Sequence, residues 1–157
     1  AIPALLLALV VSTLLGSGLA AVLVAVGVAL MPGYVRLMAA QVLTTKQNEY
    51  VLAARAVGAG RVALMVRHIL PNCLSPLIVQ VTLVIGLAIL IEATLSFLGL
   101  GNPPPAPSWG NMLATGYQFM QISPWPSVFP GLAIMLTVFA INLLGDGLRD
   151  ALDPRMK

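Results

Sequence analysis

Charged side chains are scarce in this sequence of 157 residues, in which 8% of the residues are charged and 59% are apolar. Soluble domains carry about 25% charged residues, so this composition excludes a soluble globular protein. Residues 1–35 and 93–145 contain no charge. A helix of about 17 to 25 apolar residues crosses a bilayer, and both uncharged runs exceed that length. The sequence therefore predicts an all-α membrane protein.

Residues that commonly serve in catalysis or metal binding are also rare. A single cysteine, Cys73, excludes an internal disulfide and a cysteine-based metal cluster. The single histidine, His68, follows Arg67 and has no obvious partner for acid–base chemistry. The sequence contains no HExxH, GxSxG or GxxxxGK(S/T) motif. These absences argue against an enzyme, and we expect neither a cofactor nor a metal site.

Four apolar segments are predicted as membrane spans. A continuous helix over residues 1–35 would be about 52 Å long against a hydrocarbon core of about 30 Å, so Gly16-Ser17-Gly18 is expected to break it. The predicted spans are 2–15, 19–42, 73–98 and 128–144. They enclose a polar loop, 44–72, and an uncharged, proline-rich loop, 99–127.

All basic residues fall on one side of this arrangement, and they are Arg36, Lys46, Arg55, Arg61, Arg67, Arg149, Arg155 and Lys157. The positive-inside rule therefore places loop 44–72 and the end of the chain in the cytoplasm. The net charge of +3 reflects this topology. We expect contact with membrane lipid and no nucleic-acid surface. The abrupt start inside apolar sequence suggests a fragment that lacks upstream helices.

Loop 44–72 is predicted to form a helix, a tight turn and a second helix. Thr44 and Gln47 have the spacing of a capping box, which predicts a helix start near residue 45 or 46. Gly58-Ala59-Gly60 is expected to end that helix, because glycine adopts the left-handed conformation of a C-terminal cap. The second helix, 61–70, is expected to stop at Pro71.

The outer loop and the end of the third span carry different signals. The proline run 103–107 predicts extended polyproline, and Ser108 is predicted to cap a helix that reaches about Met120. Glu92 is the one carboxylate inside an apolar span, where an ionisable group is costly and often functional. Two interpretations stay open: Glu92 makes a packing or gate-closing hydrogen bond, or it lines a transport pathway.

The loop and the tail resemble the permease subunits of bacterial ABC importers. Ala53-Ala54, Gly58 and Leu70-Pro71 match the spacing of that family's cytoplasmic loop. Short segments similar to the dipeptide, oligopeptide and nickel branch of that family occur at residues 49–51, 67–72, 92–101, 107–110 and 143–154. Two positions depart from the family pattern, since Leu52 replaces its loop glutamate and His68 replaces its isoleucine.

This resemblance implies a fold and a place in an assembly. The fold would be a type I ABC importer transmembrane domain with a cytoplasmic coupling helix, of which this chain holds about four of six spans. It would be the C-terminal part of the second (C-type) permease subunit, in the bacterial inner membrane. Its implied partners are two cytoplasmic ABC ATPases, a second homologous permease and an extracytoplasmic substrate-binding protein.

The resemblance also implies a function without chemistry in this subunit. ATPase closure would drive alternating access through loop 44–72, and the residues expected to couple the ATPase are Glu49, Leu52, Ala53, Ala54, Arg55, Gly58, His68, Leu70 and Pro71. Glu92 is the candidate gate or pathway residue. The cargo would be a peptide, nickel or another small solute. A structural membrane subunit or a passive channel is the alternative, and a proton-coupled carrier is a third.

Overall fold

The computed structural model describes residues 2–152, and all regular secondary structure within that range is helical. The helices are α1 Ala4–Leu15, α2 Leu19–Thr45, α3 Glu49–Ala56, α4 Arg61–Ala63, α5 Leu70–Phe97, α6 Trp109–Gln118 and α7 Trp125–Leu152. A π-helical segment, Leu64–Ile69, joins α4 to α5. The predicted all-α membrane fold is confirmed. The tail residues Arg155 and Lys157 lie outside the described range.

Three of the helices are long and apolar enough to cross a membrane. They are α2, α5 and α7, which contain 27, 28 and 28 residues and are therefore about 40 Å long. The first predicted span, 2–15, forms the shorter apolar helix α1, whose 12 residues extend about 18 Å. Gly16 and Gly18 have φ angles of 86° and 131°, so the predicted break after α1 is confirmed.

Helix α5 lies at the centre of the bundle, where it contacts α1, α2, α6 and α7. Helices α1 and α2 form a hairpin that packs against its second half. The buried residues of this contact are mostly small or β-branched: Ala8, Val22, Val26, Ala29, Ile91 and Leu95. Small side chains allow close approach of helices in a membrane, where dispersion contacts rather than water exclusion drive association.

The bundle has a charged end, toward which its basic residues lie, and an opposite end, here called the uncharged end, whose one charged residue among residues 2–152 is Glu92. At the charged end α2 finishes beside the start of α5, where the Thr45 Oγ1 and Cys73 Sγ atoms are 3.6 Å apart. At the uncharged end the Gly18 N–H donates to the Gly101 carbonyl over 3.1 Å. Because α2, α5 and α7 run between these ends, the basic residues of the described chain lie toward the charged end. The charge segregation on which the predicted topology rests is therefore present along the bundle axis.

The predicted start of the loop helix is wrong. Helix α2 continues through Thr45, and α3 begins at Glu49 after Asn48. The Thr44 hydroxyl donates to the Ala40 carbonyl over 3.1 Å, so it is used within α2 and caps no following helix. A threonine that bonds the carbonyl four residues earlier is compatible with a helix interior, which the spacing of a capping box cannot reveal.

The predicted helix stop at Pro71 is also wrong. Helix α4, the π-helical segment and α5 follow one another without a break from Arg61 to Phe97. Proline lacks an N–H and crowds the carbonyl four residues earlier in an α-helix. The Leu70 N–H bonds the Met65 carbonyl, five residues back, so the wider π turn immediately before Pro71 accommodates the proline ring.

The outer loop turns where an extended segment was predicted. The Ala106 N–H donates to the Pro103 carbonyl over 3.3 Å, which closes a turn, and the Pro104–Pro105 peptide is cis. The predicted cap is confirmed, since the Ser108 Oγ accepts a hydrogen bond from the Asn111 N–H over 3.1 Å. Helix α6 then ends at Gln118, two residues before the predicted end, and packs against α5 and α7.

Candidate functional site

The inner face of α3 is anchored to the start of the bundle. Val51 is buried with Leu64, Ile69 and Cys73, which belong to the π-helical segment and the first turn of α5. Ala54, one helical turn after Val51, packs against the same cluster. Ala54 therefore lies on the inner side of α3 and only partly at its surface. This buried contact joins α3 to the first turn of α5.

A left-handed glycine fixes the turn that follows α3. Gly58 has a φ angle of 88°, and its N–H donates to the Arg55 carbonyl over 3.1 Å. The Ala59 N–H donates to the Ala54 carbonyl over 3.1 Å. These two bonds form a Schellman motif, which satisfies carbonyls at the end of a helix. The predicted glycine cap is confirmed.

The outer face of α3 and its turn carries exposed apolar side chains. Leu52 is 52% exposed, Val57 is 85% exposed and Val62, at the start of the next helix, is 77% exposed. Glu49, Ala53 and Arg55 are also exposed on α3. Apolar side chains left uncovered together at a protein surface mark contact sites. Val57 and Val62 were not predicted as site residues, because apolar residues in so apolar a sequence give no signal of exposure.

A pocket of about 390 Å³ opens beside α3. Its lining includes three cations, Lys46, Arg55 and Arg61, and five apolar residues, Val51, Leu52, Leu64, Met65 and Ile69. Leu52 thus adds an apolar side chain to a pocket that three cations also line. Sequence reasoning assigned Lys46 and Arg61 to topology and Arg55 to both topology and coupling, and it did not bring the three together, since they lie apart in the sequence.

The remaining predicted coupling residues lie at the base of the loop. His68 is half-buried in the π-helical segment, and its carbonyl accepts a hydrogen bond from Asn72 Nδ2 over 2.7 Å. Leu70 and Pro71 are exposed at the start of α5. The structure therefore brings Glu49, Leu52, Ala53, Arg55 and Gly58 onto one outer surface. It places Ala54, His68, Leu70 and Pro71 away from that surface, within the segment 49–71.

Glu92 lies near the uncharged end of α5. Its Oε1 atom accepts a hydrogen bond from the Ser96 hydroxyl over 2.6 Å, and Ser96 is wholly buried. This bond joins two residues of the same helix, so it does not tie α5 to a neighbour. Glu92 also borders an open pocket of about 360 Å³, with Pro107, Ser108, Trp109 and Met112 of the outer loop and α6.

Another pocket, lined mostly by apolar residues, lies between α1, α2 and α5. It has a volume of about 440 Å³, and its polar lining residues are Tyr34, Arg36 and Gln80. Sequence reasoning missed Tyr34 and Gln80, although polar residues within apolar helices are the signal that identifies such positions. Among residues 2–152, no cluster of three or more His, Cys, Asp or Glu side chains could hold a metal ion.

Comparison with known proteins identifies relatives over the whole chain. Residues 1–157 match the family described as binding-protein-dependent transport system inner membrane component. The chain is 50% identical to the di/tripeptide transport system permease protein DppC of Pseudomonas aeruginosa and 49% identical to the glutathione transport system permease protein GsiD of Escherichia coli. It is also 50% identical to a putative peptide transport system permease protein of Brucella suis.

These alignments cover 100% of this chain and 52%, 52% and 53% of the three relatives, respectively. The chain thus spans about half the length of the curated relatives it matches.

Proposed function

The chain belongs to the family of binding-protein-dependent transport system inner membrane components, and on that premise we propose that it is a permease subunit of an ATP-driven peptide importer. The relatives named above are permeases for di/tripeptide, glutathione or peptide transport, which favours a peptide over nickel as cargo. The proposed assembly contains two cytoplasmic ABC ATPases, a second permease and an extracytoplasmic substrate-binding protein. ATP hydrolysis then belongs to the ATPases, and this subunit carries no catalytic residue.

One observation supports the coupling role most directly: α3 is covered on one face and uncovered on the other. Its inner face packs on the first turn of α5 through Val51. Its outer side presents Leu52 and Val57 away from the bundle. A helix held in this way offers a second protein an apolar contact and transmits its displacement to α5. We propose that the ATPase contacts this outer face and that its closure drives alternating access.

Charge complementarity adds to this contact. The cations that line this pocket, Lys46, Arg55 and Arg61, favour an acidic group on the partner. Its apolar lining residues favour an aliphatic or aromatic side chain. Leu52, which stands where the family has an acid, is part of that lining. An ATPase surface with an apolar projection flanked by carboxylates would fit. Association should therefore weaken with rising salt without being abolished.

The test replaces one exposed apolar side chain at each end of the bundle. Val57→Asp places a charge on the proposed contact, and Ile122→Asp places the same charge on an equally exposed residue of the outer loop, since Val57 and Ile122 are 85% and 86% exposed. A buried unpaired charge destabilises an interface, so Val57→Asp should weaken ATPase association about tenfold or more, and Ile122→Asp should leave it unchanged. Co-purification of the ATPase and its substrate-stimulated hydrolysis measure the effect.

Retention of normal association, hydrolysis and uptake by Val57→Asp and by Leu52→Arg would contradict the coupling proposal. A structural membrane subunit or a passive channel would then be the better interpretation, because neither requires contact between α3 and an ATPase.

A further inference from the structure

Among residues 2–152, Glu92 has no basic partner at its own end of the bundle. It is the only acidic residue between Glu49 and Asp146, and no Lys, Arg or His occurs between His68 and Arg149. Residues 1–35, which supply α1 and the start of α2, are also uncharged. A half-buried carboxylate in so apolar a sequence is costly unless something compensates its charge. Among residues 2–152, therefore, no side chain supplies a full counter-charge to Glu92 at this pocket.

The hydrogen bond from Ser96 occupies only part of the carboxylate. A carboxylate has about four acceptor positions on its two oxygens, and the Ser96 hydroxyl takes one on Oε1. The other positions remain for a donor in the pocket that Glu92 borders. Ser96 is wholly buried, so the bond holds the Glu92 side chain in a fixed direction. The group is prepared to accept hydrogen bonds from a ligand with several donors.

The other residues that line the pocket suit a small cation. Trp109 and Met112 line it with Pro107 and Ser108. An ammonium group near an indole ring is attracted by the ring quadrupole, and a carboxylate beside it supplies both charge and acceptors. The volume of about 360 Å³ lies within the range of small-molecule sites, about 300–1,000 Å³. An anionic ligand would meet repulsion from Glu92.

Close contact between the backbones of α6 and α5 fixes the position of Trp109 relative to Glu92. Gly110, the residue after Trp109, packs directly on α5: a Cβ atom at this position would contact the Ala93 carbonyl and lie 2.6 Å from the Ser96 Cβ. The Ser108 cap fixes the first turn of α6 at the same point. The aromatic wall is therefore attached to the segment of α5 that carries the carboxylate and its hydroxyl donor.

We propose that Glu92, with Ser96 and Trp109, forms a binding site for a protonated primary amine. In the importer this amine would be the N-terminal ammonium of the transported peptide, a part of the proposal that rests on the proposed function. The same chemistry occurs in the headgroup of an ethanolamine phospholipid. The site selects the positive end of the ligand and makes no demand on side chains farther along a peptide.

Fluorescence of Trp109 tests binding directly. Trp125→Phe leaves Trp109 as the only tryptophan of the chain, and Trp125 does not line the pocket. The full chain in detergent is titrated with alanyl-alanine amide, with its N-acetylated form, which lacks the charge, and with glycerophosphoethanolamine. We expect a saturable change in emission with the cationic peptide amide and none with the acetylated form. Glu92→Gln, which still accepts from Ser96, should weaken binding of the amine about tenfold, because the half-buried carboxylate loses a hydrogen bond between charged groups.

Each remaining outcome contradicts a defined part of the proposal. Equal responses to the charged and acetylated probes, or no response to either, would overturn the amine site without affecting the importer proposal. Equal binding by wild type and Glu92→Gln would remove Glu92 from the site. Tighter binding of glycerophosphoethanolamine than of the peptide amide would overturn the assignment to peptide and identify a lipid site. The comparison of probes on the Trp125→Phe chain stands even if Glu92→Gln fails to fold.

Discussion

Gly58 and Gly99 occupy the same structural position at opposite ends of the bundle. At each, a φ angle above 80° allows two backbone hydrogen bonds to close a helix, α3 at Gly58 and α5 at Gly99. After Gly99 the Leu100 N–H returns to the Leu95 carbonyl over 2.9 Å, and Leu100 packs against the core that contains Leu95. These residues determine the direction in which the chain leaves each helix.

Gly58→Ala should destabilise the turn after α3 through the backbone alone. No atom lies within 4 Å of a Cβ at Gly58, so the penalty of about 1–2 kcal/mol comes from the left-handed conformation. Gly60→Ala is the matched control, because Gly60 has equally open surroundings and a φ angle of −66°. Hydrogen exchange of the amides of residues 58 and 59 should accelerate only in Gly58→Ala. Equal exchange in both variants would contradict this account.

At the residue scale, the sequence predicted conformation better than exposure. Gly58 was identified from its position after a helical segment, since glycine has a distinct backbone preference. Val57 and Val62 could not be identified, because their exposure depends on how α3 packs and not on their own chemistry. The hydrogen bond between Glu92 and Ser96 follows from helical spacing of four residues, whereas the pocket beside Glu92 requires the position of α6.

At the scale of elements, two glycines bring α6 into close contact with its neighbours. Gly110 rests on α5 at Ala93 and Ser96, and Gly116 rests on the start of α7 at Pro126 and Ser127. A helix that presents glycine to both neighbours approaches them closely, as is common between helices in membranes. The helices themselves were predictable from apolar runs and from the Ser108 cap, but this docking was not.

Gly110→Val should separate α6 from α5. The added side chain meets a backbone carbonyl and the wholly buried Ser96, neither of which can rotate away, and overpacking of this kind costs about 1–3 kcal/mol. Gly131→Ala serves as the control, because its Cβ would lie 3.9 Å from the nearest atom, a methyl group of Leu113. Thermal unfolding in detergent should begin at a lower temperature for Gly110→Val alone. Unchanged stability would show that α6 is not held by this contact.

At the scale of the whole molecule, charge divides the bundle into two ends. The lengths of the apolar runs and the positions of the basic residues were enough to predict this division. In a membrane protein, apolar runs cross the bilayer and basic residues collect on one side of it. The unbroken path from α4 into α5 was not predictable, since Pro71 normally ends a helix and the π turn that accommodates it has no sequence signature. Helix α1 was predicted as a membrane span, whereas its 12 residues extend only about 18 Å.

Cysteine labelling should locate the two ends. In a chain with Cys73→Ala, a cysteine at Asn48 should react with a membrane-impermeant thiol reagent only after the cell membrane is opened, whereas one at Ile122 should react in intact cells. Both positions are exposed. The expectation follows from the excess of basic residues at the end that holds Asn48. Labelling of position 48 from outside would reverse the orientation and exclude contact with a cytoplasmic ATPase.

Helix α5 begins at the buried cluster beneath α3 and reaches Glu92 and its pocket about 33 Å of helix later. A conformational change that moves the whole of α5 would link the affinities of the two binding surfaces proposed at its ends. If an amine at Glu92 raises the affinity of α3 for its partner by some factor, the partner must raise the affinity for the amine by the same factor. The affinity of the Glu92 pocket would then depend on the nucleotide state of the proposed ATPases, although the pocket does not contact them.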